Sequence, residues 1–240
     1  MSNIFDFAKM GYQCQHSTAL KSISSFTLNY RSIFGEMNAM YRTFIFDLDG
    51  TIIDSELTGL TTLQAILKEQ GIEKTLDELR FSLGIPGTTT LEVLNIADIP
   101  TTLQAWMEKE KPLMKNVPIF SGMMEVIEKL PLKGIVTSQS KAELNNSFYQ
   151  LNIAHYFHTI ISADDTEKHK PNPEPLKLAL KRLGVKSSEA IYIGDSRYDM
   201  QCARSAGVDF GLALWGAKES KGFEQAKYIF KSPIDILKLI

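Results

Sequence analysis

The run Phe44-Ile45-Phe46-Asp47-Leu48-Asp49-Gly50-Thr51 constrains this chain more than any other. Consecutive apolar residues give way to two carboxylates separated by a single leucine, and then to a glycine. A strand buried on both faces of a parallel sheet reads as a near-continuous hydrophobic run, so the change at Asp47 marks the strand's carboxyl end and a turn. In open α/β sheets that end borders the ligand crevice. Asp-Gly is also an ordinary turn signal, and taken alone the acidic pair fits a surface turn as well as a functional one.

After Pro118 the chain alternates between helical and strand patterns. Ser121 is read as the cap of a helix ending near Leu130, followed by a strand at Gly134-Ile135-Val136 and a helix from Lys141 to Leu151. A strand from Phe157 to Ile161 precedes a helix from Pro173 to Leu183, stopped by Gly184. A strand from Ala190 to Ile193, a helix from Arg197 to Ala206 stopped by Gly207, and a strand from Phe210 to Leu214 complete the series. Strands and helices alternating at this spacing imply crossover connections and a parallel sheet covered on both faces.

Between the first strand and this series the pattern is helical. Leu57, Leu60, Leu63 and Leu67 recur at three- and four-residue spacing before Gly71, as expected for one apolar helix face. Shorter helices are expected from Leu76 to Leu83, Thr88 to Ile96 and Thr101 to Met114, around a Gly84-Ile85-Pro86-Gly87 loop. The expected fold is therefore α/β: a Rossmann-like three-layer core from residues 41–54 and 118–240, with a small all-helical unit at 55–117. Residues 1–40 show no persistent period and are expected to be weakly ordered. They read as an extension upstream of a start at Met37 or Met40.

Charge and cysteine usage narrow the function. Twenty-six basic against 28 acidic side chains give a net charge of −2, with no block of like charge to attract nucleic acid or an acidic membrane. Cys14 and Cys202 are far apart and lack metal-ligand or disulfide spacing, which fits a reducing, cytoplasmic setting. No apolar run approaches the roughly 20 residues of a membrane helix. The expected partner is a small molecule; oligomeric state is not legible.

Each later strand ends in polar residues: Thr137-Ser138 after the second, Lys168-His169-Lys170-Pro171-Asn172-Pro173 after the third, and Gly194-Asp195-Ser196-Arg197-Tyr198-Asp199 after the fourth. In a parallel sheet these ends share one edge with Asp47 and Asp49. Singly, each has a plainer account. Lys170 suits a solvated loop, Thr137 a strand end, and Asp195 and Asp199 a helix cap and a first-turn acid. His155, His158 and His169 read as surface or loop residues without zinc-like company, Cys202 as a packed small residue, and Arg197 as a solvated helix start.

With these stations in this order, the chain from about residue 41 onward resembles the haloacid dehalogenase superfamily in its aspartate-nucleophile phosphatase branch. It looks most like the phosphoglycolate phosphatase and pyrophosphatase-like group. Asp49 argues against the dehalogenases, which lack that second carboxylate, and Thr51 resembles the phosphatases. Ser138-Gln139 departs from the Thr-Asn pairing common among relatives. The resemblance implies Asp47 as nucleophile, forming an aspartyl phosphate, and Asp49 as acid and then base. It implies Mg²⁺ held by Asp47, the Asp49 carbonyl and Asp195, with Asp199 behind them. Lys170, Thr137 and Ser138 would bind the phosphoryl group. It places a cap at 55–117, with Glu56, Arg80 and the Gly84 to Thr88 loop as candidate substrate contacts. A small phosphorylated metabolite is the implied partner. A β-phosphoglucomutase-like phosphotransferase and a non-catalytic phosphate-binding regulator are the alternatives.

Overall fold

A computed structural model of the chain describes residues 40–240; the expectations for the N-terminal extension and Cys14 lie outside the described residues. Six strands form one parallel sheet in the order β3-β2-β1-β4-β5-β6. They are β1 (Thr43–Phe46), β2 (Leu132–Val136), β3 (Thr159–Ile161), β4 (Ala190–Gly194), β5 (Asp209–Ala213) and β6 (Tyr228–Phe230). β1 is central, with Phe46 in register with Ile135 of β2 on one side and with Ile193 of β4 on the other. The chain therefore reverses its direction of travel across the sheet at β1, where a crevice opens beyond the strand ends.

Alternation along the strands fills both faces. Phe44, Phe46, Ile135, Ile191 and Ile193 join Met123, Val126 and Ile127 of α5 (Met123–Lys129) in one buried cluster. Ile45, Val136, Ile161, Tyr192 and Leu212 face the other way. They pack on Leu176 and Leu180 of α7 (Glu174–Leu183) and on Cys202 and Ala203 of α8 (Arg197–Ala206). Covering both faces removes strand backbone and side chains from water together, the physical reason these strands carry so few polar residues. Among the described residues no helix is long and apolar enough to cross a membrane.

Four helices lie between β1 and β2: α1 (Glu56–Glu69), α2 (Leu76–Leu79), α3 (Gly87–Val93) and α4 (Ile99–Met114). Leu60, Leu63 and Leu67 of α1 pack with Leu79, Leu91 and Ile96 in a hydrophobic cluster separate from the two sheet faces. Leu57 is the exception to the expected stripe: it stands 65% exposed, because α1 turns its second residue away from that cluster. The chain enters and leaves this helical insertion through two paired linkers. Asp54 N–H donates to the Pro118 carbonyl at 2.9 Å and Phe120 N–H to that of Ile52 at 3.0 Å.

Several local expectations are corrected. α5 starts from Gly122, whose left-handed φ of 83° suits glycine, rather than from a Ser121 cap. The helix expected from Lys141 to Leu151 stops as α6 (Lys141–Asn146), breaks at Ser147 and resumes as a 3₁₀ turn over Phe148–Leu151. The third and fifth strands begin two residues later and one earlier than expected, respectively, and the edge strand β6 lies beyond the last strand expected from the pattern. Replacing the fully buried Leu63 by alanine would leave a hole in the insertion's cluster. A loss of about 2–5 kcal/mol is expected, measurable as a lowered urea midpoint.

Candidate active site

The central register brings the strand-end residues together. Asp47 follows β1 directly and its N–H still donates to the Ile193 carbonyl of β4 at 2.8 Å, while Thr137 N–H, beyond β2, donates to the Ile161 carbonyl at 2.9 Å. After Asp47 the chain turns sharply, with Ile52 and Ile53 N–H both directed at the Leu48 carbonyl. Gly50 makes the turn with φ +73°, and a Cβ there would collide with the Asp195 carboxylate. A short helix, α9 (Leu214–Ala217), braces it from below: Trp215 Nε1 donates to the Thr51 carbonyl at 3.0 Å. A Cβ on Gly216 would overlap the Gly50 carbonyl oxygen. Asp49 is thus held by backbone contacts on two sides.

Lys170 is the centre of the charge arrangement. Only 4% exposed, it donates to Asp47 Oδ1 at 2.7 Å and to Asp199 Oδ1 at 2.8 Å. Burial alone would push its ammonium group down, but Asp199 and Asp47 outweigh that and raise it. Asp47 is driven up to about 7, first by burial and then by Asp199, against the pull of Lys170. Burial, with Asp47 and Asp199 nearby, raises Asp195 well above the usual carboxylate range. Asp199 is the first-turn acid of α8 and also faces Lys170. Its Oδ2 accepts the Ser196 N–H in the capping box of α8, and its Oδ1 accepts from Lys170 and from Tyr192 Oη at 2.8 Å. The cap itself is Ser196, not Asp195.

Three carboxylates, Asp47, Asp195 and Asp199, each bring an oxygen within 4.8 Å of the others, against the single charge of Lys170. This surplus of hard anionic oxygen fits a divalent cation. Within the set, Asp199 has both oxygens engaged by hydrogen-bond donors. Asp47 Oδ2 and Asp195 Oδ2 accept none among the described residues, since Lys170 takes Asp47 Oδ1 and Thr51 Oγ1 takes Asp195 Oδ1 at 3.0 Å. The donor set therefore fits a divalent cation held by Asp195 and by Asp47, whose Oδ1 keeps a second lone pair beside the one Lys170 takes, with Asp199 fixing Lys170 instead of binding the ion.

A cavity of about 120 Å³ opens over Asp47, Asp49 and Asp195, between the sheet edge and the helical insertion. Asp49 accepts from Ser55 Oγ at 2.6 Å and from Gln139 Nε2 at 3.0 and 2.9 Å, one contact to each oxygen for the amide. Burial raises its pKa, and these donors oppose the rise. Thr137 Oγ1 accepts the Gln139 N–H at 3.1 Å, leaving its own proton for a ligand. Ser138 lines the cavity, but its hydroxyl donates to the Gly84 carbonyl of the insertion at 2.8 Å. Thr137 and Lys170 are buried beside the residues that line the cavity.

Of the other candidates, Glu56 and the Gly84, Ile85 and Gly87 backbone line the cavity, whereas Arg80 reaches it only through its 2.8 Å ion pair with Glu56. His155 and His158 are exposed, as expected. Arg197 is exposed and directed toward the Lys221 carbonyl. Cys202 is buried, with its thiol pushed up to about 12, chiefly by burial. Ser55, Gln139, Tyr192 and the wall residue Glu110 are the additions the sequence reading missed. Gln139, two residues beyond Thr137, carried one signal: side chains two apart at a strand end share a side.

Residues 44–213 match the family model of haloacid dehalogenase-like hydrolases. The chain is 32% identical to a phosphoglycolate phosphatase of Xylella fastidiosa over 189 residues, covering 75% of this chain and 82% of the relative. It is 26% identical to pyrophosphatase PpaX of Oceanobacillus iheyensis, covering 83% and 96%. A crystal structure of a candidate phosphoglycolate phosphatase from Lactobacillus plantarum aligns with TM-score 0.77 and 30% identity, over 84% of this chain and 100% of the other.

Replacing Lys170 by methionine leaves two buried carboxylates without their cation, a loss of about 3–5 kcal/mol by comparison with other broken buried pairs. Without metal the loss should grow with pH. Asp47 titrates near 3.8 when unfolded and about 7 when folded, so its contribution is full below the lower value and lost as pH rises through the upper one. Removing Lys170 moves that upper value higher. Urea denaturation in chelator should show a larger deficit at pH 8 than at pH 5.

Proposed function

Because the chain belongs to the haloacid dehalogenase-like hydrolase family, we propose that it is a Mg²⁺-dependent phosphatase that hydrolyses a small phosphorylated metabolite through an aspartyl phosphate. The observation that carries this reading is Asp47 at the base of the cavity. One of its oxygens is tied to Lys170 and the other is open, with Asp49 beside it. A carboxylate held at one oxygen keeps its orientation while the other attacks.

In the first displacement the open Asp47 oxygen bonds to phosphorus as the bond to the leaving oxygen breaks, and Asp49 delivers a proton to that oxygen. In the second, Asp49 takes a proton from water as the water oxygen bonds to phosphorus, which releases phosphate and restores Asp47. The raised pKa of Asp49 supports its serving as acid first and base second near neutral pH. Lys170 offsets charge on Asp47, and Thr137 has a hydroxyl proton to offer a phosphoryl oxygen. Mg²⁺ at Asp47, the Asp49 carbonyl and Asp195 would neutralise the phosphoryl oxygens. The helical insertion over the cavity serves as the cap that keeps bulk water from the reacting groups.

Asp47→Asn should lower phosphate release from p-nitrophenyl phosphate with Mg²⁺ to background, while wild type loses activity in chelator and regains it with added Mg²⁺. Undiminished turnover by the variant would overturn the nucleophile assignment. A sugar phosphate isomerised without free phosphate would replace hydrolysis by phosphotransfer.

A further inference from the structure

The wall of the cavity opposite the phosphoryl site is contributed largely by α4. Trp106, Met107, Glu110, Lys111 and Met114 recur at helical spacing and line it, as one face of a helix does. The acids of this wall are satisfied unequally. Glu56 is paired with Arg80 at 2.8 Å and Lys218 at 2.7 Å. Glu143 accepts the Ser140 N–H and hydroxyl at 2.6 Å each. Glu110 makes no hydrogen bond or ion pair among the described residues. Its carboxylate lies against α1, where a Cβ on Gly59 would come within 3.5 Å of Oε1.

From this we infer that Glu110 is a specificity-determining residue whose carboxyl group accepts a hydrogen bond from a donor, a hydroxyl or an ammonium group, on the non-phosphate end of the substrate. The inference deepens the phosphatase reading and rests on it. Glu110 is half-buried in the cavity wall, so a ligand that fills the cavity takes its carboxyl group from water and must supply a partner; the acids near it, Asp49 and Glu143, cannot. Burial, with those two acids adding to it, pushes Glu110 up to about 8, the direction expected of an acid lacking a donor. The indole N–H of Trp106, one turn before it, is spent on Thr62 Oγ1 at 3.0 Å. Trp106 thus offers the cavity its ring, a surface suited to the carbon face of a polyol or to an ammonium group. A substrate ending in a carboxylate would meet a wall whose one unpaired cation among the described residues is Lys111, which is exposed. The chemistry of the wall thus favours a hydroxylated or amino-bearing ester over one like phosphoglycolate.

The test compares kcat/KM for glycerol phosphate, phosphoethanolamine and phosphoglycolate, each as a ratio within one protein, for wild type, Glu110→Leu and Glu110→Gln. Wild type should prefer a donor-bearing ester to phosphoglycolate by about tenfold or more. The leucine variant, which has no acceptor, should collapse that ratio by about tenfold, the scale of one hydrogen bond. Glutamine keeps an acceptor but not the charge. It should retain the ratio if the donor is a hydroxyl and lose it if the donor is an ammonium group. A wild-type preference for phosphoglycolate, or a ratio unmoved in the leucine variant, overturns the inference. If p-nitrophenyl phosphate is still hydrolysed in that case, the phosphatase reading stands without it. Failure of wild type on every ester removes both.

Discussion

One buried ammonium group holds this centre together. Lys170 bridges Asp47 at the end of β1 and Asp199 in the first turn of α8, so it links the central strand to the helix that follows the neighbouring strand. Isolated burial of any of these charges would be costly. Their mutual arrangement offsets that cost and also leaves Asp47 one open oxygen. The remaining surplus of negative charge, which Lys170 alone does not cancel, is what suits the site to a divalent cation.

The tertiary frame was legible because its physics is local. Strands buried on both faces must be apolar throughout, so β1, β2 and β4 stand out by composition, and Gly184 and Gly207 mark helix ends at left-handed φ. Asp47, Asp195 and Asp199 were legible because each sits at a strand end or helix start, and Lys170 because it stands before Pro171 in the loop between β3 and α7. The missed residues act across the fold. Ser55 and Gln139 meet at Asp49 over a separation of 84 positions, Tyr192 is an ordinary strand residue until its hydroxyl is seen against Asp199, and Glu110 looks like any helical surface acid. Leu57 fails in the opposite sense: its spacing is that of a core residue, but at the first turn of α1 it faces outward. Periodicity identifies a face, not where packing on that face begins.

Ser138-Gln139, where the resemblance implied Thr-Asn, makes some of the contacts that sequence reading missed. Gln139 is long enough to span from the end of β2 to both oxygens of Asp49, and Ser138 reaches the Gly84 carbonyl of the insertion. One dipeptide therefore touches the proposed proton-transfer residue and the helical insertion above it. The dipeptide stands where the two halves of the cavity meet.

The paired linkers at Ile52–Asp54 and Pro118–Phe120 carry a consequence for how such a molecule diversifies. Because the insertion departs from the sheet and returns to it at adjacent, hydrogen-bonded points, the core registers only a closed loop, whatever that loop contains. Closing a longer loop costs only about 0.6 kcal/mol for each doubling of its length. Helices of other lengths and wall chemistries can therefore be exchanged above the same three aspartates without moving a strand, so that the sheet and the selectivity filter are free to evolve as separate parts.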